Sequence, residues 1–369
     1  MRETKVDAAA VEVVYRWDLD KTYLQTEFST LDGLLRAALE GATRKRTVPG
    51  TRALLAALSS GRSTRVIVVS GSPLWLRRRI VATFKLHGIR CDRLVLKDYG
   101  HAMRRGRVRA LTAQVPFKMR AHLASRLWLA AQDVHAGEVC FGDDSEVDAL
   151  IYCLYADVCA RRVSASRLAD ILRACDAYDD EVAAILGKLA LVERHDPVRR
   201  VFIHLDGNSP PARFGAYRGR VTATFNAFQI ALSLVSDGLA DDTVLIDVAE
   251  DLANAWRFDA EALAGSLEDA TRRGLCSQDL AVRVATSLLP RTAAFDVGFD
   301  GTFAARVGRR IEALRDLPEA SDVNHPLPYE QLFEAEQGFV RARKLARKTA
   351  GRIPGLSDFL GTGDDPGDG

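Results

Sequence analysis

A doubly wound α/β fold built on a parallel sheet is predicted by three features: short runs of β-branched and aromatic residues, helix-periodic stretches between them, and acids or hydroxyls where those runs stop. The runs cover residues 11–17, 66–70, 93–96 and 138–141 and are largely apolar, as expected of strands covered on both faces. In such a sheet the groups that do chemistry gather outside the carboxyl ends of the strands.

The first strand, Val13-Val14-Tyr15-Arg16-Trp17, stops at Asp18-Leu19-Asp20-Lys21-Thr22. Residues i and i+2 of a strand end lie on one face, so Asp18 and Asp20 can approach one small group together. A short helix is expected at Leu31–Glu40 and a second at Thr51–Leu58, which leaves room for only a minimal cap. The second strand, Arg65–Val69, ends in Ser70-Gly71-Ser72-Pro73, a hydroxyl beside backbone N–H groups in a tight turn that suits phosphate oxygens. After the third strand, Pro116-Phe117-Lys118-Met119-Arg120 sets a lysine at the start of a helix read over Ala121–Ala131, with Leu123, Leu127 and Ala131 on one side. The fourth strand, Glu138–Phe141, runs through Gly142 into Asp143-Asp144-Ser145-Glu146-Val147-Asp148. Packed carboxylates repel and raise one another's pKa unless a hard divalent cation neutralises them, and magnesium suits oxygen ligands of this kind.

Each motif alone has a structural explanation: a capped turn, a solvated lysine, or acids at a helix N-terminus. Their order is what carries meaning. Asp18-x-Asp20-x-Thr22, Ser70, Lys118 and Gly142-Asp143-Asp144-x-x-x-Asp148 resemble the four ordered motifs of haloacid dehalogenase-like (HAD) phosphatases. A narrower resemblance over residues 11–160 is to the catalytic domain of actin-patch-associated phosphatidate phosphatases and their bacterial relatives. It rests on Val48-Pro49-Gly50, Ser70-Gly71-Ser72-Pro73-Leu74-Trp75-Leu76 and Leu94-Val95-Leu96-Lys97-Asp98-Tyr99-Gly100, with Ser-Gly-Ser-Pro where that group carries Ser-Ala-Ser-Pro.

The resemblance implies a HAD-type Rossmann-like domain and a magnesium-dependent phosphatase. Asp18 is then the nucleophile that forms an aspartyl-phosphate, Asp20 the general acid and base, and Ser70 and Lys118 the groups that stabilise the transferring phosphoryl charge. Asp18, the Asp20 carbonyl and Asp143 are the implied metal ligands; Asp144 is the alternative to Asp143, and Asp148 orients Lys118 or a metal-bound water. Thr22, Gly71 and Ser72 are candidate substrate contacts. The expected substrate is a phosphorylated small molecule or lipid, phosphatidate among them. Alternatives are a HAD phosphotransferase, or a lipid- or phosphoprotein-binding module that keeps the motifs without turnover.

Between Arg90 and Arg126 ten Lys or Arg face only Asp92 and Asp98. Arg104, Arg105, Arg107 and Arg109 fall in what reads as a loop over the strand ends, placed to steer a polyanionic substrate or an anionic membrane surface, or simply to be solvated. No nucleic-acid reader accompanies this charge, so no specific nucleic-acid partner is expected.

The chain of 369 residues is 47% hydrophobic and 27% charged with a net charge of +2, the balance of an ordinary globular enzyme. Its six cysteines show no metal-ligand spacing and read as reduced thiols. With no leader-like start and no apolar run long enough to span a bilayer, a cytoplasmic protein, at most peripheral to a membrane, is expected.

Three segments are expected: a catalytic domain at 1–227, a small helical domain at 228–316, and a linker, basic helix and tail at 317–369. Within the first, residues 161–196 read as a helical insertion ahead of Val198–Leu205, which is assigned to the sheet edge as its last strand. The basic amphipathic stretch Gln331–Arg352 is a second candidate for membrane contact.

Overall fold

The computed structural model describes residues 11–19, 22–23, 48–61, 63–206, 209–291, 301–312 and 325–350. The helix expected at Leu31–Glu40, the candidate Asp20 and the tail from Gly361 lie outside them.

Among the described residues six strands form one all-parallel sheet: β1 (Val13–Trp17), β2 (Thr64–Pro73), β3 (Arg93–Lys97), β4 (Gly137–Asp143), β5 (Val198–His204) and β6 (Thr222–Thr224). Their order is β3-β2-β1-β4-β5-β6. The chain therefore winds outwards from β1 to β3, then returns to the other side of β1 for β4 to β6. The direction of winding reverses between β1 and β4, and a crevice opens at the carboxyl ends of strands at such a reversal. Trp17 is level with Val68 on one neighbour and Phe141 on the other, so the motifs that follow these strands emerge side by side.

Helices cover both faces, as the apolar strands require. On one face Tyr15, Trp17, Val68, Phe141 and Phe202 share a hydrophobic cluster with α1 (Thr51–Ser60), α2 (Arg77–Leu86), α9 (Ala227–Ser236), α10 (Asp242–Trp256), α11 (Ala260–Arg272), α12 (Gln278–Arg283) and α13 (Gly301–Glu312). The helices after residue 227 thus form a layer on the sheet, and their core is continuous with it. The opposite face presents Val14, Ile67 and Val69 to α5 (Val115–Ala130), and Cys140, Val201 and Ile203 to α5, α6 (Asp148–Cys159), α7 (Ala165–Ala174) and α8 (Asp179–Leu191). That face also buries an ion pair. Arg16 binds Glu138 through Nε at 2.5 Å and Nη2 at 2.8 Å, and Tyr155 and Arg126 complete the network. A charge so deep is tolerable only when it is paired.

The structure corrects three local expectations. The strand Val198–His204 is not the edge of the sheet, because β6 pairs beside it. Segment 99–112 is two short helices, α3 (Tyr99–Arg104) and α4 (Val108–Thr112), where a loop was expected. Helix α5 begins at Val115, with Pro116 in its first turn, so Lys118 lies inside the helix and is fully buried. The expected basic helix is present as α14 (Tyr329–Ala350), with Leu332 buried and Phe339 under the Arg213 guanidinium at 3.5 Å. Among the described residues no helix is long and apolar enough to cross a membrane.

Candidate active site

The site begins one residue beyond β1. The Asp18 N–H donates to the Phe141 carbonyl at 2.9 Å, which continues the β1–β4 pairing and holds Asp18 at the reversal point. Below it Trp17 stacks on Phe141 with ring centroids 4.1 Å apart. The Asp18 side chain is buried.

Lys118 reaches Asp18 from α5. Its ammonium lies 2.8 Å from Asp18 Oδ1, 2.5 Å from Asp148 Oδ1 and 3.0 Å from Glu146 Oε2. Burial works against the charged amine, but the Asp148, Asp18 and Glu146 carboxylates outweigh it, and Lys118 is held protonated well above the usual lysine range. Asp148 is the first residue of α6, so a single residue both opens that helix and anchors the lysine.

Asp143, the last residue of β4, accepts the Thr22 hydroxyl at 3.3 Å and the Ser145 N–H at 2.6 Å, with the Ser145 hydroxyl on the same oxygen as that N–H. Asp144 is also buried; its N–H donates to the His204 carbonyl and its own carbonyl accepts from Arg213, both at 3.0 Å. Burial, followed by the charges of Asp148 and Glu146, pushes Asp143 well above the ordinary carboxylate range. Burial raises Asp148 as well, with Glu146 adding to the rise and Lys118 opposing it. Within this group, carboxylate oxygens of Asp18, Glu146 and Asp148 lie within 4.8 Å of one another. Several hard oxygen donors facing one ammonium are a donor set that fits a small divalent cation.

The second strand contributes the turn. Ser70 is buried and its Oγ accepts the Ser72 N–H at 2.9 Å, so the hydroxyl helps fold the turn it belongs to. Tyr99 Oη donates to the Gly71 carbonyl at 2.9 Å and ties α3 to this turn. Three of the candidate arginines are engaged by the segment Tyr178–Asp180. Arg107 meets Asp180 at 2.6 Å and Arg105 meets it at 3.6 Å, while the guanidinium groups of Arg107 and Arg109 lie 5.1 and 4.7 Å from the Tyr178 ring centroid. Arg104 makes no ion pair among the described residues.

The sequence-predicted residues Asp18, Lys118 and Asp148 meet in one contact set. Thr22 joins Asp143, and Asp144 stands behind it. Asp20 is outside the described residues. Sequence reasoning assigned no role to Glu146, although its place two residues before Asp148 in an acid-rich turn was a signal for it. Nor did it find Lys97, a buried lysine at the end of β3 whose ammonium donates to the Leu111 and Ala113 carbonyls at 3.2 and 2.9 Å.

Comparison with known proteins agrees with the resemblance read from the motifs. Residues 17–168 match the family model described as phosphatidate phosphatase APP1, catalytic domain. That span includes Asp18, Ser70, Lys118 and Asp143 to Asp148, and so contains each group just described around Asp18 apart from the supporting carbonyl of His204 and the Arg213 guanidinium. No curated protein and no solved structure matches the chain.

Proposed function

We propose, from the match of residues 17–168 to a phosphatidate phosphatase catalytic domain, that this protein is a magnesium-dependent phosphomonoester hydrolase of the HAD type, with phosphatidate or another phosphorylated lipid as substrate. The observation that carries the reading is the Lys118 ammonium set between Asp18 and Asp148 at the reversal point of the sheet.

In this reading an Asp18 carboxylate oxygen attacks phosphorus, the ester P–O bond breaks, and Asp20 gives its proton to the departing alkoxide. Asp20 then takes a proton from water as that water cleaves the aspartyl-phosphate, returning Asp18 and releasing phosphate. Lys118, held charged and pinned by Asp148, stabilises the negative charge that spreads over the phosphoryl oxygens, with Ser70 and the N–H groups of its turn beside it. Asp18, the Asp20 carbonyl and acids of the Asp143–Asp148 turn would hold magnesium, which would supply further neutralisation of that charge. Burial first, and the neighbouring carboxylates after it, raise Asp143 and Asp148, and a cation held there would favour their charged forms.

The test is phosphate release from a panel including micellar phosphatidate and a small aryl phosphate, with magnesium and with a chelator. Wild type is expected to turn over with magnesium only, and Asp18→Asn to lose at least about 10³-fold in turnover. Equal activity of Asp18→Asn and wild type would remove the assignment. Transfer of phosphate to an alcohol instead of water marks a phosphotransferase, and lipid binding without turnover marks a binding module.

A further inference from the structure

Half of the large hydrophobic side chains that stand exposed among the described residues sit on two adjoining segments at the carboxyl edge of the sheet. Leu74 is 44% exposed and Trp75 60%, directly after the Ser70–Pro73 turn; Met103 is 68% exposed and Val108 72%, on α3 and α4. The Trp75 and Tyr99 rings are 6.4 Å apart. Met103 follows Tyr99 by one helical turn and so lies on the same side of α3. The Arg107 N–H donates to the Ala102 carbonyl, which turns the chain from α3 into α4, where Val108 is the first residue.

An exposed indole among aliphatic side chains is unusual for a free surface and typical of one that meets the headgroup boundary of a bilayer. The charge around it selects the kind of bilayer. Arg77 and Arg78 follow Trp75 within three residues, and Arg104, Arg105, Arg107 and Arg109 accompany Met103 and Val108. Asp180 answers part of this charge through Arg105 and Arg107, while Arg78 and Arg104 stand exposed. Such a rim complements anionic lipid. The patch is also fastened to the site: Tyr99 holds the Gly71 carbonyl, and Lys97 holds the last carbonyls of the α4 segment. The basic helix α14, the other candidate for membrane contact, has Leu332 and Phe339 engaged with the body.

We infer that Leu74, Trp75, Met103 and Val108 form a docking face for an anionic bilayer surface. Their apolar groups enter the headgroup boundary and the arginine rim pairs with lipid anions, so that a lipid phosphate is presented beside the Ser70–Ser72 turn. The purpose of the face rests on the proposed lipid phosphatase reading, but the binding itself does not require turnover.

The experiment is flotation of the full chain with phosphatidylcholine vesicles, with and without phosphatidylserine. Phosphatidylserine carries no phosphomonoester, so the outcome is independent of any hydrolysis at Asp18. Wild type is expected to float with the anionic vesicles and to stay behind with neutral ones. The double variant Trp75→Ala/Met103→Ala should lose roughly tenfold or more in partitioning, the loss of two buried side chains at the interface. Arg78→Gln/Arg104→Gln should weaken binding at low salt and have less effect at high salt. Both variants should keep the wild-type thermal midpoint, because the replaced side chains are exposed. Failure of wild type to float, equal flotation with neutral vesicles, or undiminished flotation of Trp75→Ala/Met103→Ala overturns the inference. Flotation without phosphate release from any substrate leaves this face standing and removes the phosphatase reading instead.

Discussion

Gly142 is a point where one atom decides the site. A Cβ at that position would stand 2.5 Å from the Asp148 Cβ, a contact real side chains do not make, so the absence of a side chain at 142 is what lets Asp148 tuck against β4 and hold Lys118. Gly142→Ala should push Asp148 away from the lysine. The expected cost is about 1–3 kcal/mol of stability from overpacking and about 10²-fold in turnover from misplacing Lys118. Urea denaturation and steady-state kinetics on the same protein check this; full turnover in the variant would show that Asp148 does not position the lysine. At this scale the grouping of Asp18, Lys118 and Asp148 was legible because their residue types follow, in order, the motifs the chain resembles. The pairing of Arg16 with Glu138 was not, since two residues 122 positions apart announce no contact.

Among the elements, α4 depends on a lysine from outside it. Lys97, at the end of β3, donates to the Leu111 and Ala113 carbonyls at the carboxyl end of α4, where helix carbonyls otherwise lack partners. Burial is the main cause that pulls this lysine from 10.5 down to about 8, with Lys118 adding to the fall and Glu146 opposing it. A neutral amine still has two N–H groups, enough for both carbonyls, so losing the proton does not release α4. The sign follows from proton counts. Between pH 8 and 10.5 the unfolded chain holds a proton on Lys97 that the folded chain has lost, so this residue's contribution to stability rises with pH. The stability difference between wild type and Lys97→Met should therefore grow by up to about 3 kcal/mol over that window, measured by urea denaturation at stepped pH. A flat difference would contradict the assignment. Strands β1 to β5 were legible from their apolar runs. The three-residue β6 was too short to show a pattern, and the Arg-rich, Gly-containing stretch 99–112 concealed two short helices behind a loop-like composition.

At the level of the whole molecule, the reversal of the sheet between β1 and β4 makes a site from segments far apart in sequence. It sets the acid after β1 beside the turn after β4, and α5 delivers the ammonium that joins them. The doubly wound sheet was readable because each strand run ended in a polar motif. The helices after residue 227 carried only the amphipathic pattern of a helix that packs on something. That pattern does not say whether the partner is another helix or a sheet, and here it is the Tyr15, Trp17 and Phe141 face of the sheet. One layer thus covers the sheet's far face while the other supplies Lys118 and Asp148.

The central claim is that Asp18 receives the phosphoryl group. Wild type mixed briefly with a radiolabelled phosphomonoester substrate and magnesium, quenched in acid and mapped by peptide mass spectrometry, should carry label on the peptide containing Asp18. The label should be labile to hydroxylamine, as an acyl phosphate is, and absent from Asp18→Asn. Turnover in wild type with no trapped label, or with label on a different residue, would contradict the account.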